Sequence, residues 1–139
     1  MDIKAMEVGF GRDSALSYEE LVDKTEKALQ ENGFGVLTRI DVKATLKEKL
    51  GEEMPPYVIL GACNPPLAHR ALTAEPGIGL MLPCNVVVRE VAEGKNRVEV
   101  INANAMSALF PEAGIEDVAA EVTQKLQKVL DTVVPPVSA

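Results

Sequence analysis

Two cysteines and a single histidine are the residues of this chain best suited to chemistry. Cys63 lies in the run Gly61-Ala62-Cys63-Asn64-Pro65-Pro66, and Cys84 lies in the similar run Leu82-Pro83-Cys84-Asn85-Val86. His69 is the only histidine and follows Cys63 closely. A thiolate is a nucleophile and a metal ligand, and an imidazole can act as its base. The candidate catalytic residues are therefore Cys63, His69 and Cys84.

Each thiol also has a structural interpretation. Cys63 precedes a predicted helix whose dipole could lower the pKa of a thiol, although Pro65 and Pro66 remove two of the amides that would point at it. A free cysteine can equally serve as a small apolar residue that closes a strand. Cys84 shares its strand face with apolar residues, which favours a place in the core.

The histidine lies off the apolar stripe of its predicted helix, so it faces solvent or a cleft. It could act as a base for Cys63, or as a metal ligand with both thiols, only if the tertiary fold brings the three side chains together. Such a set would suit zinc with an open fourth position, but closely spaced Cys-x-x-Cys pairs are absent from the sequence. The sequence therefore assigns no metal and no cofactor.

Asn64, Arg70 and Asn85 are the candidate ligand-binding residues. The two asparagines follow the cysteines directly and could donate hydrogen bonds to a ligand, while Arg70 could hold an anion. The alternative interpretation is that Asn64 caps a helix, Asn85 occupies a turn and Arg70 is a solvated charge.

Composition restricts the possible partners. The 139 residues fit a single domain spanning 1–139, and 47% apolar with 25% charged residues is typical of an ordered globular protein. A formal charge of −7 repels phosphate backbones and anionic lipids, and the 4% of aromatic residues offers few platforms for base stacking. We therefore expect no nucleic-acid partner.

The N-terminal residues lack the features of a secretory signal. The segment 1–7 has no cationic region followed by an apolar one, and no stretch reaches the roughly 20 apolar residues of a membrane-spanning helix. We expect a cytoplasmic protein with no membrane partner, in which both cysteines are free thiols.

The first third of the chain predicts a strand and a helix. Alternating apolar residues predict a strand over 3–10, followed by a turn at 11–14. Ser17 and Glu20 have the spacing of a capping box and begin a helix that Gly33 ends.

A second strand and helix are predicted next. The strand covers 34–40, and Asp41 caps a short helix that Gly51 ends. This helix is predicted to turn three apolar side chains inward, those of Val42, Leu46 and Leu50.

The cysteine runs fall at the ends of predicted strands. An apolar run predicts a strand over 57–62, with Cys63 at its exit. Asn64 and Pro65 are good first residues for a helix that continues over 67–74.

A long strand is predicted over 78–91, bent at Gly79 and Pro83, and a turn at 93–96 leads to an antiparallel partner. One face of the long strand is predicted to hold Leu80, Leu82, Cys84, Val86 and Val88. Helical spacing from Ile115 to Val133 predicts the final helix. Together these elements favour a two-layer α+β domain with a mostly antiparallel sheet and helices on one face.

Three motifs in order resemble a prokaryotic family, the domain of unknown function 302 family. They are Gly33-Phe34-Gly35-Val36-Leu37-Thr38-Arg39-Ile40-Asp41-Val42-Lys43, then Leu60-Gly61-Ala62-Cys63-Asn64-Pro65 with Leu67-Ala68-His69, and Leu82-Pro83-Cys84-Asn85-Val86. The resemblance implies a β-α-β(4)-α fold similar to the TATA-binding-protein-like class, and a homodimer. Some members look associated with sulfur or redox metabolism, but the family implies no assigned catalytic residue.

Three functional hypotheses follow. In the first, Cys63 carries sulfur or redox chemistry with help from His69 and with Cys84 as a resolving thiol. In the second, a non-catalytic dimeric module holds a small ligand or a metal in a cleft between the Cys63 loop and the bend at Pro83. In the third, both cysteine motifs only shape reversals of the chain. The sequence ranks the first two equally and leaves open whether the protein is an enzyme.

Overall fold

The computed structural model describes residues 7–136. Five strands lie within this range: β1 Gly9–Ser14, β2 Gly35–Asp41, β3 Tyr57–Cys63, β4 Cys84–Ala92 and β5 Lys95–Ile101. The α-helices are α1 Tyr18–Glu31, α2 Val42–Leu50, α3 Pro65–Ala74, α4 Asn104–Leu109 and α5 Glu116–Val133, and a 3₁₀ helix covers Pro76–Met81.

All strand pairs in the sheet are antiparallel, in the order β1-β5-β4-β3-β2. The register aligns the buried residues of the central strands across one face of the sheet, for example Leu60 opposite Val86 and Val86 opposite Val100. This inner face packs against helices and holds the core, because side chains alternate between the two faces of a strand. The predicted two-layer α+β fold with an antiparallel sheet is confirmed.

Helix α1 shows how local sequence sets an element. The Ser17 hydroxyl accepts a hydrogen bond from the Glu20 amide at 3.2 Å and itself donates to the Glu20 carboxylate at 3.1 Å. After the helix, Gly33 adopts a φ of +85°, a left-handed conformation that favours glycine. The predicted beginning and end of α1 are both confirmed.

The prediction for the first strand is confirmed at Gly9 and Phe10 but ends the strand too early. Residues 11–14, predicted as a turn, belong to β1, while part of the predicted strand lies outside the described residues. The turn-like residues pair with β5, and Arg12 donates hydrogen bonds to Asp131 at 2.5 Å and to the Val134 carbonyl at 2.9 Å. Backbone pairing with β5, supported by this long-range ion pair, therefore holds a polar edge strand that the local pattern disfavours.

The predicted long strand over 78–91 is also wrong in its first half. A 3₁₀ helix covers Pro76–Met81 and β4 begins only at Cys84, so Leu80 does not share a face with Cys84 but is 87% exposed. The Glu75 carboxylate accepts a hydrogen bond from the Gly77 amide at 2.9 Å and caps this turn. Proline at its first position favours a helical start.

Helix α2 begins and ends as predicted but does not turn its apolar residues inward as far as expected. The Asp41 carboxylate accepts a hydrogen bond from the Ala44 amide at 2.9 Å, and Gly51 has a left-handed φ of +68°. No residue of α2 is buried, and Leu50 is 68% exposed. The prediction that Leu50 faces inward is wrong because this short helix packs mainly against the strands β2 and β3 at one side of the sheet.

Candidate functional site

A cavity of about 320 Å³ lies between the sheet and the helical layer, where β3 ends and β4 begins. Its walls come from β2, β3 and β4, the helices α3, α4 and α5, the 3₁₀ helix and the connecting segments. The lining residues are Phe34, Leu37, Ala62, Cys63, Asn64, Leu67, Ala68, Ala71, Leu72, Ile78, Leu82, Pro83, Cys84, Ala103, Met106, Ile115, Val118, Ala119 and Val122.

Small side chains explain why this end of the molecule is hollow. Five of the lining residues are alanines, namely Ala62, Ala68, Ala71, Ala103 and Ala119. A methyl group leaves space between the sheet and the helices that a leucine would fill. Among the described lining residues none carries a charged side chain, so the wall is apolar apart from two thiols and one amide.

Cys63 is the last residue of β3 and pairs with Gly35 of the edge strand. Its side chain is half-buried and lines the cavity. The next residue, Asn64, caps α3 as predicted: its side-chain oxygen accepts a hydrogen bond from the Leu67 amide at 3.3 Å. The cap therefore fixes both the start of α3 and the position of the amide beside Cys63.

Cys84 begins β4 directly opposite Ala62 on the inner face, and it is buried. Burial, together with the charge of the neighbouring Cys63, raises the pKa of Cys84 from its ordinary value of 9.0 to about 11. At neutral pH this thiol is therefore protonated and a poor nucleophile. The structure brings both cysteines to one cavity, as the first two functional hypotheses required.

The histidine is on a different surface. His69 is exposed on α3 and lines a shallow depression together with Arg70 and Thr73, outside the cavity that the thiols share. Arg70 approaches Glu121 of α5, with 3.6 Å between guanidinium and carboxylate. Within residues 7–136, no group of three or more His, Cys, Asp or Glu side chains is placed to hold a metal ion.

Asn85 is likewise separated from the cavity. It is exposed on β4, opposite Gly61, and it alternates with the inward-facing Cys84 and Val86. Of the six candidate residues, the structure thus gathers Cys63, Asn64 and Cys84 around one space and leaves the other three outside it. The catalytic and ligand-binding roles suggested for these residues stay predictions.

Sequence reasoning did not identify the larger part of the cavity wall. Ile115, Val118, Ala119 and Val122 belong to the helical spacing that predicted the final helix, but they also line the cavity. The available signal was the change from alanine and valine in the first half of α5 to leucine further along. A change to smaller side chains along one helix indicates a cavity only when the residues that face this helix are also known.

The outer face of the sheet carries a row of charged side chains. Arg89 donates to Glu99 at 2.7 Å, Arg97 lies 3.4 Å from Glu99, and Arg97 donates to Asp13 at 3.1 Å. Partial burial raises the pKa of Glu99, but the hydrogen bonds and charges of Arg89 and Arg97 outweigh burial and lower it overall. The hydrogen bond from Arg97 likewise lowers the pKa of Asp13.

Comparison with known proteins agrees with this architecture. The sequence profile of the family described as "Domain of unknown function DUF302" matches residues 10–133. The chain belongs to the DUF302 family. An uncharacterised conserved DUF302 protein from Bacillus stearothermophilus has a crystal structure that matches with a TM-score of 0.84 at 28% identity, covering 91% of this chain and 98% of that one.

The search of curated proteins found no match. Membership of DUF302 thus confirms the predicted family and supplies no activity. No helix within residues 7–136 combines the length and the apolar character needed to cross a membrane.

Proposed function

We propose that this DUF302 protein is a non-catalytic, cytoplasmic module that binds a small apolar molecule and acts as a homodimer. The observation that supports it is the apolar cavity of about 320 Å³ between the sheet and α3. Its volume lies at the lower end of the range of about 300–1,000 Å³ that small-molecule sites occupy. The thiols and the amide would act as parts of the wall.

The apolar wall of the cavity favours a bound molecule because its side chains lack packing partners. An apolar wall without a neighbour on one side lacks the dispersion contacts that close packing supplies elsewhere in the core. A ligand of fitting shape restores them and removes its own apolar surface from water. Two leucines of the wall, Leu37 and Leu72, are exposed, so the cavity has an apolar mouth through which such a molecule can enter.

The test is binding of a neutral fluorescent probe, N-phenyl-1-naphthylamine, to the purified full chain. We expect saturable fluorescence enhancement in the native protein and its loss in Ala119→Phe, which places a ring in the cavity. Ala120→Phe is the matched control, because Ala120 is the next residue of α5 and does not line the cavity. Circular dichroism and a melting curve establish that both variants fold.

Absence of probe binding to the native protein would overturn the proposal. Equal binding by Ala119→Phe and by the native chain would also overturn it, because the probe would then occupy another place.

Thiol chemistry at Cys63 is the second candidate function. It is supported by the half-buried position of Cys63 on the cavity wall, beside a second thiol. In this version Cys63 reacts and Cys84 is its resolving partner. Alkylation with iodoacetamide, read for each cysteine by peptide mass spectrometry, should modify Cys63 at neutral pH at least about tenfold faster than the protonated Cys84. If neither thiol reacts until the protein unfolds, this candidate fails.

The homodimer is supported by the outer face of the sheet. Ile59 and Val87 lie opposite each other on β3 and β4 and are only half-buried. Beside them, the charged row alternates basic and acidic side chains, so two copies related by a two-fold axis can pair opposite charges. Half-buried apolar residues next to such a row suit a self-complementary interface.

Sedimentation velocity tests the dimer. Val87→Lys should shift the protein to the monomer, because a lysine in the centre of the interface would be buried without a partner. Glu93→Lys on the exposed β4–β5 turn is the control and should leave the mass unchanged. A native protein that sediments as a monomer at all concentrations would contradict the dimer.

A further inference from the structure

We infer that α3 and the 3₁₀ helix form a lid, residues 65–82, which opens as one unit to admit a molecule to the cavity. The inference rests on the proposed binding function and adds the way in which access to that site is controlled. Three observations support it: the deep wall of the cavity is closed, the lid has few bonds to the rest of the chain, and the two ends of the lid lie side by side.

The deep wall of the cavity is closed in this structure. Ala62 of β3, Ile78 of the lid and Ala103 before α4 line the cavity, and each has no more than 2% of its surface exposed. Water barely reaches these side chains, so a larger molecule reaches them only if part of the wall moves. The exposed lining residues are Leu37 of β2 and Leu72 of the lid. The mouth therefore lies where the lid meets the edge of the sheet.

The lid is the part of the wall with the fewest bonds to the rest of the protein. Within the described chain, residues 65–82 make hydrogen bonds only with one another and with Asn64, which caps α3. An ion pair crosses from the lid to α5, with 3.6 Å between Arg70 and Glu121, and both side chains are about half exposed. Exposed ion pairs contribute little to stability. The walls from β3 and β4, by contrast, are hydrogen-bonded to a strand on either side.

Apolar packing holds the lid closed. Helix α3 packs chiefly against the 3₁₀ helix and α5, and the cavity lies between α3 and the sheet. Leu67, Ala71 and Ile78 of the lid are buried, but each lines the cavity and so lacks neighbours on one side. Opening the lid therefore breaks fewer dispersion contacts than separating a fully packed helix from the sheet would. Local opening is favoured where buried contacts are few.

The two ends of the lid lie next to each other on the sheet. The chain leaves β3 at Cys63 and enters β4 at Cys84, and Ala62 pairs directly with Cys84. A segment joined to the sheet at two neighbouring points can rotate about the line between them while the sheet stays intact. Residues at the ends of elements commonly act as such hinges. Asn64 at one end and Pro83 at the other take this place here.

The test joins the lid to α5 covalently. Cys63→Ala, Arg70→Cys and Glu121→Cys are combined in the full chain, and bismaleimidoethane links the two exposed thiols at pH 7. The matched control combines Cys63→Ala with Glu121→Cys and Lys125→Cys, so that the same linker lies within α5 and does not reach the lid. Cys84 stays unmodified in both proteins, because it is buried and protonated at this pH.

The first measurement needs no ligand. Cys84 lines the cavity, so its reaction with methyl methanethiosulfonate at pH 9, followed by mass spectrometry, reports opening of the lid. We expect this reaction to be at least about tenfold slower in the protein with the linked lid than in the control, because the reagent must reach the thiol.

Unfolding of the whole protein is measured separately. An unlinked protein with Cys63→Ala and Val129→Cys carries a second thiol at a fully buried position of α5. Cys84 should react at least about tenfold faster than this introduced thiol, because opening of the lid requires less free energy than global unfolding.

The second measurement is stopped-flow binding of N-phenyl-1-naphthylamine. Linking the lid should slow association and dissociation alike, each by at least about tenfold, because a lid controls the rate of entry and exit. The Kd should stay within about twofold of the control, because the bound state has the lid closed in both proteins.

Equal Cys84 reaction rates in the linked protein and its control would overturn the lid, and so would equal rates of probe association. Reaction of Cys84 no faster than that of the thiol introduced by Val129→Cys would also overturn it, because only global unfolding would then expose the cavity. If the native chain binds no probe, the proposed binding function fails, while the Cys84 rates still decide whether the lid opens.

Discussion

The helical layer of this protein is filled at one end and hollow at the other. Where α1 and α5 lie against the sheet, leucines such as Leu21, Leu29 and Leu126 are fully buried. Around α3, alanines occupy comparable inward positions and leave a cavity of about 320 Å³. The same sheet supports both ends. The difference shows that side-chain volume, rather than the arrangement of elements, creates the candidate site.

Helix α5 belongs to both ends. Its first half contributes Val118, Ala119 and Val122 to the cavity wall, while Leu126 and Val129 in its second half are in the filled core. One amphipathic stripe therefore anchors the fold and shapes the cavity. Substitutions along this helix are the sharpest way to test the contrast.

The largest effect is expected from shortening a leucine of the filled end. Leu126→Ala should lower the free energy of unfolding by about 3–5 kcal/mol, because it opens a new void in a packed core. Leu67→Ala, on the cavity wall, should cost about 1 kcal/mol less, since Leu67 already lacks neighbours on one side. Urea denaturation of both variants gives the values, and equal costs would contradict the distinction between the two ends.

The second prediction concerns Cys84 at the hollow end. The pKa of this thiol is raised to about 11 in the folded protein from an ordinary 9.0, so folding favours its protonated form. The stabilisation is fully present below pH 9 and is lost as the pH rises through 11, and it amounts to about 3 kcal/mol.

Urea denaturation between pH 8 and pH 11.5 measures this loss, with Cys84→Ala as the control. The native chain should lose about 3 kcal/mol more than the variant over this interval. Parallel pH profiles for the two proteins would show that Cys84 is not in the apolar setting described above.

A medium effect is expected when an alanine is enlarged. Ala28 is buried on α1 at the filled end, so Ala28→Leu should destabilise the protein by about 1–3 kcal/mol through overpacking. The same change at Ala119 extends into the cavity and should alter stability by less than about 1 kcal/mol. Thermal unfolding of the two variants measures both changes in stability. A larger destabilisation by Ala119→Leu than by Ala28→Leu would mean that the cavity cannot accommodate an added side chain.

The smallest effect is expected at His69. His69→Ala should change the free energy of unfolding by less than about 0.5 kcal/mol, because the side chain is exposed. Binding of N-phenyl-1-naphthylamine should also be unchanged within about twofold, since His69 does not line the cavity. A strong loss of probe binding would place the histidine functionally with the thiols after all.

Local signals in the sequence predicted the elements that local interactions determine. The capping box at Ser17, the cap at Asn64 and the left-handed Gly33 each act within a few residues, and the structure confirms all three. The errors at β1 and at the 3₁₀ helix have the opposite origin. Strand β1 is held by β5 and by Asp131, far along the chain, so no local pattern could show that it continues through residues 11–14.

The candidate site was predictable only in part for the same reason. The cysteines stood out as residue types, but their meeting depends on the pairing of β3 with β4, which places Ala62 opposite Cys84. Alanine is the strongest helix former, so alanines in a predicted helix are explained by helix formation as readily as by a cavity. The cavity between the helices and the sheet exists only once these elements are packed together, so it cannot be predicted from single elements.

The position of β1 in the sheet has a consequence for biosynthesis. Among the described strands β1 pairs only with β5, so β1 leaves the ribosome well before its partner, residues 95–101, has been made. Helix α1 can contact β2 soon after both are made, but its packing on α5 has to wait for a helix that begins at Glu116. Domains generally fold as units during synthesis. The packing of α1 on α5 thus forms late, after β2, β3 and β4 have been made and can already pair.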